Sequence, residues 1–320
     1  MRSYLRIHSP WSQLALLLVL MGAGLIVYGE LTQIILKING MSLGDISTWK
    51  LSDPRQLNIL KFLQAISSVI IFMLTSLAFA LFTFRFKHYH YLGFRKIEKA
   101  SFLIYAILLT CLSFPMVAWL GELNQHLPLS KSMADSEKEI NRQLEAFLSI
   151  HHPYDTVINL LLIALLPAIC EELFFRGVIQ RILIFLFKSP WQGILVTAAL
   201  FSAFHFEFSG FFPRMFLGVI LGALYWYANS LWPVILSHFL FNGLQVIAAE
   251  YYAPSLVDTN PHIPWAAALL SGLAVAGLLF NLRRISSVRF AQVYETGWDG
   301  APYGSLTEPE NRPEFSHKRN

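Results

Sequence analysis

The chain has 320 residues, of which 55% are hydrophobic and only 14% are charged. Soluble domains carry about 25% charged residues, so this composition indicates a membrane protein with several spanning helices. The formal net charge of +4 is small, and basic loops on one membrane face account for it better than a nucleic-acid surface does. The two cysteines, Cys111 and Cys170, provide neither a disulfide framework nor a metal-binding spacing.

Apolar segments of about 20 residues predict an all-α, polytopic bundle of about eight transmembrane helices within residues 1–285. The fourth segment is longer than a bilayer requires, so its ends should project or the helix should tilt. Residues 286–320 are polar, without apolar periodicity, and predict a mostly disordered tail. The expected spans are 14–36, 62–84, 102–120, 156–187, 191–208, 215–228, 232–249 and 265–282.

Lysine and arginine residues predict the orientation of this bundle. They crowd the loop at 85–99 and the segment after residue 282, which share one side of the membrane. Because basic loops stay inside, both termini are predicted to be cytoplasmic. Without an organelle signal in the sequence, the expected location is a bacterial inner membrane. An apolar stripe within 121–155 also predicts an amphipathic helix, which either lies on the membrane or packs as a solvated helix on the bundle.

The apolar stretch LLPAICEELFFRGVIQ, residues 165–180, contains three charges. Each costs about 2.5–3.5 kcal/mol to place in a bilayer. Glu172 and Arg176 are four residues apart on one helix face and can pair. Glu171 points about 100° away, and this remaining carboxylate suits general acid–base chemistry. An inter-helix ion network without chemistry is the alternative.

Two further polar stretches interrupt apolar segments. FSAFHFEFSG places His205 within the predicted fifth helix, and VILSHFLFNG places His238 and Asn242 on one face of the seventh. Taken singly, each of these polar stretches could simply form hydrogen bonds that hold neighbouring helices together. Taken together, polar groups on three helices cannot face lipid and must face one another or a cavity. Such a set suits water activation, with Glu and His taking a proton and His or Asn stabilising an oxyanion.

A serine or cysteine nucleophile is less well supported. Ser202 and Ser237 lie beside the histidines, but the sequence shows no Ser–His–Asp order. Cys170 adjoins Glu171 yet points about 100° away from it, and no cation that would stabilise a thiolate is evident.

Three motifs agree in residue type, order and spacing: EExxxR in EELFFR, FxxxH in FSAFH and HxxxN in HFLFN. Over about residues 155–250 they resemble the CAAX-protease and bacteriocin-processing family (CPBP, also called Abi), which includes the type II CAAX prenyl endopeptidases. The resemblance implies an intramembrane endopeptidase with an eight-helix bundle, a protease core at about 155–250 and an active site open toward the cytosol.

The resemblance also implies a role for each motif residue. Glu171 activates water and His205 assists it, while His238 and Asn242 line the oxyanion side. Glu172 and Arg176 support the site. The catalytic set is Glu171, His205, His238 and Asn242.

A zinc ion is the alternative to a metal-free site. Glu171, His205 and His238 could supply a His₂Glu ligand set. The sequence has no H-E-x-x-H helix, and the likeness to glutamate-type intramembrane proteases favours a metal-free pair, so no cofactor is expected. The expected partners are membrane lipids and a peptide or protein substrate: a prenylated CAAX peptide, a leader peptide or a membrane protein.

Two other function classes stay open. A non-catalytic scaffold or immunity protein could use the same fold. An ion or proton transporter could use buried Glu and His residues, but it predicts broken helices or repeated halves, which the sequence does not show.

Overall fold

The structure, a computed structural model, describes residues 9–42, 44, 49–84, 91–149, 154–252 and 263–290. Across these ranges it contains nine helices and no strand. Seven of the helices are long and apolar enough to cross a membrane. The predicted all-α, polytopic membrane fold is therefore confirmed.

The helices are numbered here in chain order. The two that do not qualify as spans are α4, which is polar, and α6, which is short. The bounds are α1 (Pro10–Ile38), α2 (Pro54–Thr83), α3 (Ser101–Gln125), α4 (Lys131–Leu148), α5 (Asp155–Phe187), α6 (Pro190–Ala203), α7 (Phe211–Ala228), α8 (Trp232–Tyr252) and α9 (Trp265–Ile285).

Helix α6 is shorter than the predicted fifth span, 191–208. Its 14 residues extend about 21 Å, less than the roughly 30 Å of a hydrocarbon core. The helix ends at Ala203, and Nδ1 of His205 lies 2.8 Å from the carbonyl oxygen of Phe201 in the last turn. Phe206 then adopts a left-handed conformation with φ of 54°. The prediction that His205 lies within a helix is therefore wrong, because the helix ends two residues before it.

Helix α5, which carries the charged stretch, runs over 33 residues but changes its winding twice. The π-helical segments Leu160–Leu165 and Phe175–Ile179 flank the α-helical segment Leu166–Phe174. Pro167 lacks an N–H and its ring crowds the preceding turn, which gives a physical reason for the first π segment. The acidic pair thus lies on a short α-helical segment between two π-helical segments. Such π-helical turns within an α-helix are common at functional sites.

The helix connections alternate between two faces of the bundle. One face, called here the terminus face, carries the start of α1, the end of α9 and the connections α5–α6 and α7–α8. On it, the Arg95 side chain donates to Asn229, and Lys99 Nζ donates to the carbonyl oxygen of Ile285 at 2.7 Å. The other face, called the opposite face, carries the end of α3, helix α4 and the α6–α7 connection.

The bundle is closed between the acidic pair and the terminus face. Every residue of α5 from 172 to 184 is buried. Helix α7 approaches it closely, because a Cβ atom added to Gly222 would lie 2.7 Å from Oε1 of Gln180. The side chain of Gln180 in turn donates to the carbonyl oxygen of Gly222 at 2.9 Å. This packing leaves no polar opening toward the termini along α5.

Helix α4 is the amphipathic helix expected within 121–155. The Ser130 hydroxyl caps its start by accepting from the N–H of Met133. Glu137 and Phe147 are its buried residues. Its other face is polar and exposed, so the helix packs along the opposite face of the bundle.

The segment after α9 begins in contact with the bundle. Ser286 Oγ donates to the carbonyl oxygen of Tyr227 at 2.7 Å, and Val288 and Phe290 pack against the core. Most of the tail predicted over 286–320 lies outside the described residues, which end at Phe290.

Candidate active site

Glu172 joins α5 to α8 at the centre of the bundle. Its Oε1 atom accepts from Arg176 Nη1 at 2.6 Å, which is the pairing expected from their spacing. The same oxygen lies 2.7 Å from Nδ1 of His238, a contact that helical spacing alone does not reveal. Since a carboxylate only accepts, Nδ1 of His238 carries the proton and the ring is held with Nε2 turned toward Glu171.

Arg176 is fully buried and serves three helices at once. Besides Glu172, it donates from Nη2 to the carbonyl oxygen of Gly218 in α7 at 3.2 Å. Its guanidinium also lies 4.7 Å from the ring centroid of Phe201 in α6. These contacts compensate a charge that would otherwise be costly in the bilayer.

Glu171 is the acidic residue left without a cation in direct contact. Its Oε2 atom lies 3.9 Å from Nε2 of His205 and 4.0 Å from Nε2 of His238. These distances are too long for hydrogen bonds, and Oε2 has no hydrogen-bond partner among the described residues. The Glu171 side chain is 13% exposed and that of His205 is 32% exposed. The three groups therefore face one another across a polar gap, called here the polar space, and His205 is the most exposed of them.

Phe201 contacts both imidazole rings of the site. Its carbonyl oxygen contacts Nδ1 of His205 at 2.8 Å, so that nitrogen donates, and Nε2 of the neutral ring presents a lone pair. The Phe201 ring meets the His205 ring edge to face at 5.0 Å and the His238 ring at 5.8 Å. Phe201 is the first residue of the FSAFH motif, and the motif pattern alone did not predict these contacts.

Asn242 lies one helical turn after His238 on α8 and is partly buried. Its side chain makes no hydrogen bond within the part of the chain that is described. The structure thus brings Glu171, Glu172, Arg176, His205 and His238 into one cluster, and it leaves the amide of Asn242 available on the same helix.

A second ion pair, absent from the sequence prediction, holds the α6–α7 connection. Arg214, in the first turn of α7, binds the Glu207 carboxylate at 2.6 Å and also the Glu207 carbonyl oxygen. Arg214 is close enough to interact electrostatically with Glu171 and His205. A lone arginine in an otherwise apolar segment is the signal that could have revealed it.

Two residues from the N-terminal half hold the same connection. Asn124 at the end of α3 donates to the carbonyl oxygen of Phe208 and accepts from the N–H of Phe212, both at 2.8 Å. Glu137 of α4 accepts from the N–H of Ser209 at 2.7 Å. No motif marks either residue, so the sequence alone offered no means of finding them.

The hydroxyl groups weighed as nucleophiles are engaged elsewhere. Ser237 Oγ lies 2.7 Å from Oγ1 of Thr110, and Ser202 Oγ donates to the carbonyl oxygen of Phe211 at 2.7 Å. Cys170 is buried. These contacts tie helices together and do not direct a nucleophile into the polar space.

The spacing of the three candidate zinc ligands is wide for a metal site. In a tetrahedral site with ligand bonds near 2.1 Å, donor atoms lie about 3.4 Å apart, whereas the two imidazole nitrogens lie 3.9 and 4.0 Å from Glu171 Oε2. Among the described residues there is no group of three or more His, Cys, Asp or Glu side chains arranged to hold a metal ion. Zinc ligation would require these side chains to move closer together.

The most exposed residue of the site, His205, lies on the opposite face. His205 belongs to the α6–α7 connection, and that connection contacts α3 and α4. Toward the terminus face, the buried stretch 172–184 closes the bundle.

Fold and site together define a polytopic membrane protein with a buried Glu–His cluster reached from one face. The family model "Rce1-like: Type II CAAX prenyl endopeptidase Rce1-like" matches residues 153–244, a segment that contains all three motifs. The match confirms the resemblance predicted from these motifs: over this segment, which is less than a third of the chain, the sequence is similar to the type II CAAX prenyl endopeptidases. No curated protein and no solved structure matches the chain significantly. The family implies a peptide-bond hydrolase, surrounded by lipid and acting on peptides.

Proposed function

We propose that this protein is an intramembrane endopeptidase in which Glu171 and His205 activate a water molecule. The single observation that carries the proposal is the pair of gaps around Glu171 Oε2, 3.9 Å to His205 Nε2 and 4.0 Å to His238 Nε2. A polar contact of this length is what one bridging water spans. If a water oxygen lies about 2.8 Å from both Glu171 Oε2 and His205 Nε2, the angle at the water between these two atoms is about 90°.

In the proposed reaction, the water gives one proton to Glu171 while its other hydrogen bonds to the Nε2 lone pair of His205. The water oxygen attacks the carbonyl carbon of the peptide bond. The oxyanion that forms lies on the side of His238 and Asn242, and the side-chain N–H group of Asn242 donates to it. Glu171 then delivers its proton to the amine nitrogen as the C–N bond breaks, so that a carboxylic acid, which retains the second water proton, and an amine leave.

Glu172 and Arg176 have a supporting role in this proposal. The hydrogen bond from His238 Nδ1 to Glu172 fixes the tautomer and the orientation of the ring, as a carboxylate does in a catalytic triad. Arg176 balances the charge of Glu172, which leaves Glu171 as the carboxylate that exchanges protons. No step requires a metal ion or another cofactor.

A matched pair of variants tests the proposal. The purified protein in detergent is incubated with a proteome-derived peptide mixture, and new termini are counted by mass spectrometry. Glu171→Gln keeps shape but removes the base, and it should reduce cleavage by at least about 10²–10⁴-fold, as should His205→Ala. The control Glu145→Gln makes the same change on the exposed side of α4 and should cleave normally. Unchanged cleavage by folded Glu171→Gln would rule out the mechanism, and a wild-type protein without peptidase activity would support the scaffold alternative.

The substrate remains within the range set by the family, from a CAAX-type C-terminal peptide to a leader peptide or membrane protein. We also propose a bacterial inner membrane as the location, with both termini in the cytoplasm. The support is the concentration of Lys and Arg in the sequence at 85–99 and after residue 282.

A further inference from the structure

We propose that a cavity between α1, α2 and α4 binds a membrane lipid with an uncharged, hydroxyl-bearing head, such as a glycosyl diacylglycerol, and that this lipid supports catalysis through α4. The cavity shares no lining residue with the Glu–His cluster. The binding step is argued from the cavity itself, and only the effect on catalysis rests on the proposed peptidase function.

The cavity is polar but carries no charge. Its volume is about 300 Å³, at the lower end of the range for small-molecule sites. Hydroxyl and amide groups both donate and accept hydrogen bonds, so a lining of this kind suits a ligand with several hydroxyl groups. Among the described residues, the polar side chains that line the cavity are Tyr28, Thr32, Gln33, Gln64 and Gln143.

Thr32 indicates that the protein leaves a polar group for a ligand. The residue is only 5% exposed, and its Oγ1 atom has no hydrogen-bond partner among the described residues. Thr110 and Thr197, in contrast, donate to the carbonyl oxygen four residues earlier in their helices, at 2.9 and 2.7 Å. A buried hydroxyl group without a partner is destabilising. A hydroxyl group of the ligand would supply the partner that Thr32 lacks.

The depth of the cavity matches the boundary between hydrocarbon and head groups. Helix α1 has 29 residues and extends about 43 Å, which exceeds the roughly 30 Å of a hydrocarbon core. Thr32 and Gln33 lie in the last third of this helix. One turn before Gly29, which also lines the cavity, Leu25 is exposed on the same face. The head of a lipid therefore reaches the polar groups while an acyl chain lies along Leu25.

The charges near the cavity are balanced or engaged, which favours an uncharged head. On α4, Arg142 binds Glu139 at 2.7 Å. On α1, Glu30 and Lys37 are both exposed and have opposite charges. The Lys61 amine of α2 donates to a side chain of α5 at 2.9 Å. A phosphate would bring a negative charge to a place without a surplus cation, whereas a sugar or glycerol head needs none.

Helix α4 connects the cavity to the active site. The Gln143 amide nitrogen donates to Glu139 at 2.8 Å, and its Oε1 atom is available to the ligand. Six residues earlier, about 9 Å along the helix, Glu137 accepts from the N–H of Ser209 in the connection that carries His205. A lipid that holds α4 against α1 and α2 therefore also holds this connection, without touching the reacting atoms.

Native mass spectrometry of the full-length protein in detergent tests the binding step. The probes are monoglucosyl diacylglycerol and phosphatidylglycerol with the same acyl chains, and we expect the glycolipid to bind about tenfold more tightly. Gly29→Phe fills the cavity and should abolish this binding. Gly277→Phe in α9 is the matched control, because a Cβ atom at either glycine has no neighbour within 4 Å. Glycolipid binding that survives in folded Gly29→Phe, or equal binding of the two lipids, overturns the proposal.

Thr32→Val tests the hydroxyl group without changing the shape of the side chain. It should weaken glycolipid binding about tenfold. In lipid-free detergent it should not lower the melting temperature, because the hydroxyl group it removes has no partner in the protein. Unchanged binding, or a lower melting temperature without lipid, contradicts the role given to Thr32.

Peptidase rates in proteoliposomes test the link through α4. Adding monoglucosyl diacylglycerol to phosphatidylcholine should raise kcat about fivefold, a modest coupling between two sites. Glu137→Ala should bind the glycolipid normally but lose this increase, and Gly29→Phe should lose both. An increase that persists in Glu137→Ala overturns the link through α4. A wild-type protein that cleaves no better than Glu171→Gln in either bilayer contradicts the proposed function instead, and the binding measurements decide the lipid site independently.

Discussion

Glu137 of α4 and Ser209 of the α6–α7 connection are joined by a hydrogen bond of 2.7 Å from the Ser209 N–H to the carboxylate. This bond links a helix outside the matched family segment to the connection that carries His205. The N-terminal half of the chain thereby helps to place an imidazole that the proposed reaction requires. Hydrogen bonds to a charged group contribute about 1.5–3 kcal/mol, enough to hold a short connection in one conformation.

Glu137→Ala should lower kcat about tenfold, equivalent to about 1.4 kcal/mol in activation free energy, and should also lower the melting temperature. The physical reason is that the connection loses one anchor and His205 samples positions away from Glu171. Glu137→Gln keeps an acceptor oxygen and should restore part of the activity. Initial rates over a range of substrate concentrations separate kcat from KM. The control is Glu145→Ala on the exposed side of the same helix, and equal kcat for all three variants would show that the anchor has no role in turnover.

Arg176→Ala should lower the melting temperature in detergent and the yield of folded protein. The change leaves Glu172 buried without its guanidinium partner, and breaking a buried pair costs about 3–5 kcal/mol. Arg142→Ala is the matched control, because Arg142 pairs with Glu139 at 2.7 Å but both side chains are more than one-third exposed. A surface pair contributes only about 0–1 kcal/mol. Equal melting curves for the two variants would contradict the assignment of Arg176.

Gly193→Ala should destabilise the contact between α5 and α6. A Cβ atom at Gly193 would lie 2.7 Å from the backbone N and 2.9 Å from Cα of Ile184, so the helices must separate. Because α6 ends just before His205, peptidase activity should fall along with the melting temperature. Gly29→Ala in α1 is the control, since a Cβ atom there would have no neighbour within 4 Å. That change should be neutral or slightly stabilising, given the higher helix propensity of alanine.

Treatment with a strong zinc chelator should leave the peptidase active. The proposed reaction uses only protein groups and water, and the three candidate ligands are spaced more widely than a zinc ion requires. The measurement is the initial rate before and after chelation, together with the metal content of the purified protein by mass spectrometry. Activity that disappears on chelation and returns with zinc would instead make Glu171, His205 and His238 metal ligands.

The sequence predicted what depends on local spacing. The pairing of Glu172 with Arg176 followed from a separation of four residues on a helix, and the structure has that contact at 2.6 Å. The bond between Glu172 and His238 could not be predicted, because it depends on how α5 and α8 align along their axes. Helical periodicity predicts the face of a helix on which a residue lies. It does not predict how far one helix is shifted along its axis relative to another.

The end of α6 was mispredicted for a related reason. The residues FSAFHFEF are apolar enough to continue a membrane helix, so hydropathy alone extends the span to residue 208. The chain turns earlier, because Ser202 Oγ binds the carbonyl oxygen of Phe211 and Asn124 binds both sides of the connection. These are contacts between distant residues, and no window along the sequence contains them.

The shortness of α6 has a consequence for the surrounding lipid. A helix of 14 residues stops about 9 Å short of a hydrocarbon layer roughly 30 Å thick. Such a mismatch is relieved when the bilayer thins locally, so head groups and water should descend beside α6 to the level of His205. Thicker bilayers resist this thinning, and proteoliposomes made from lipids of increasing chain length should therefore support progressively slower hydrolysis. The lipid thickness would then tune the hydration of the site.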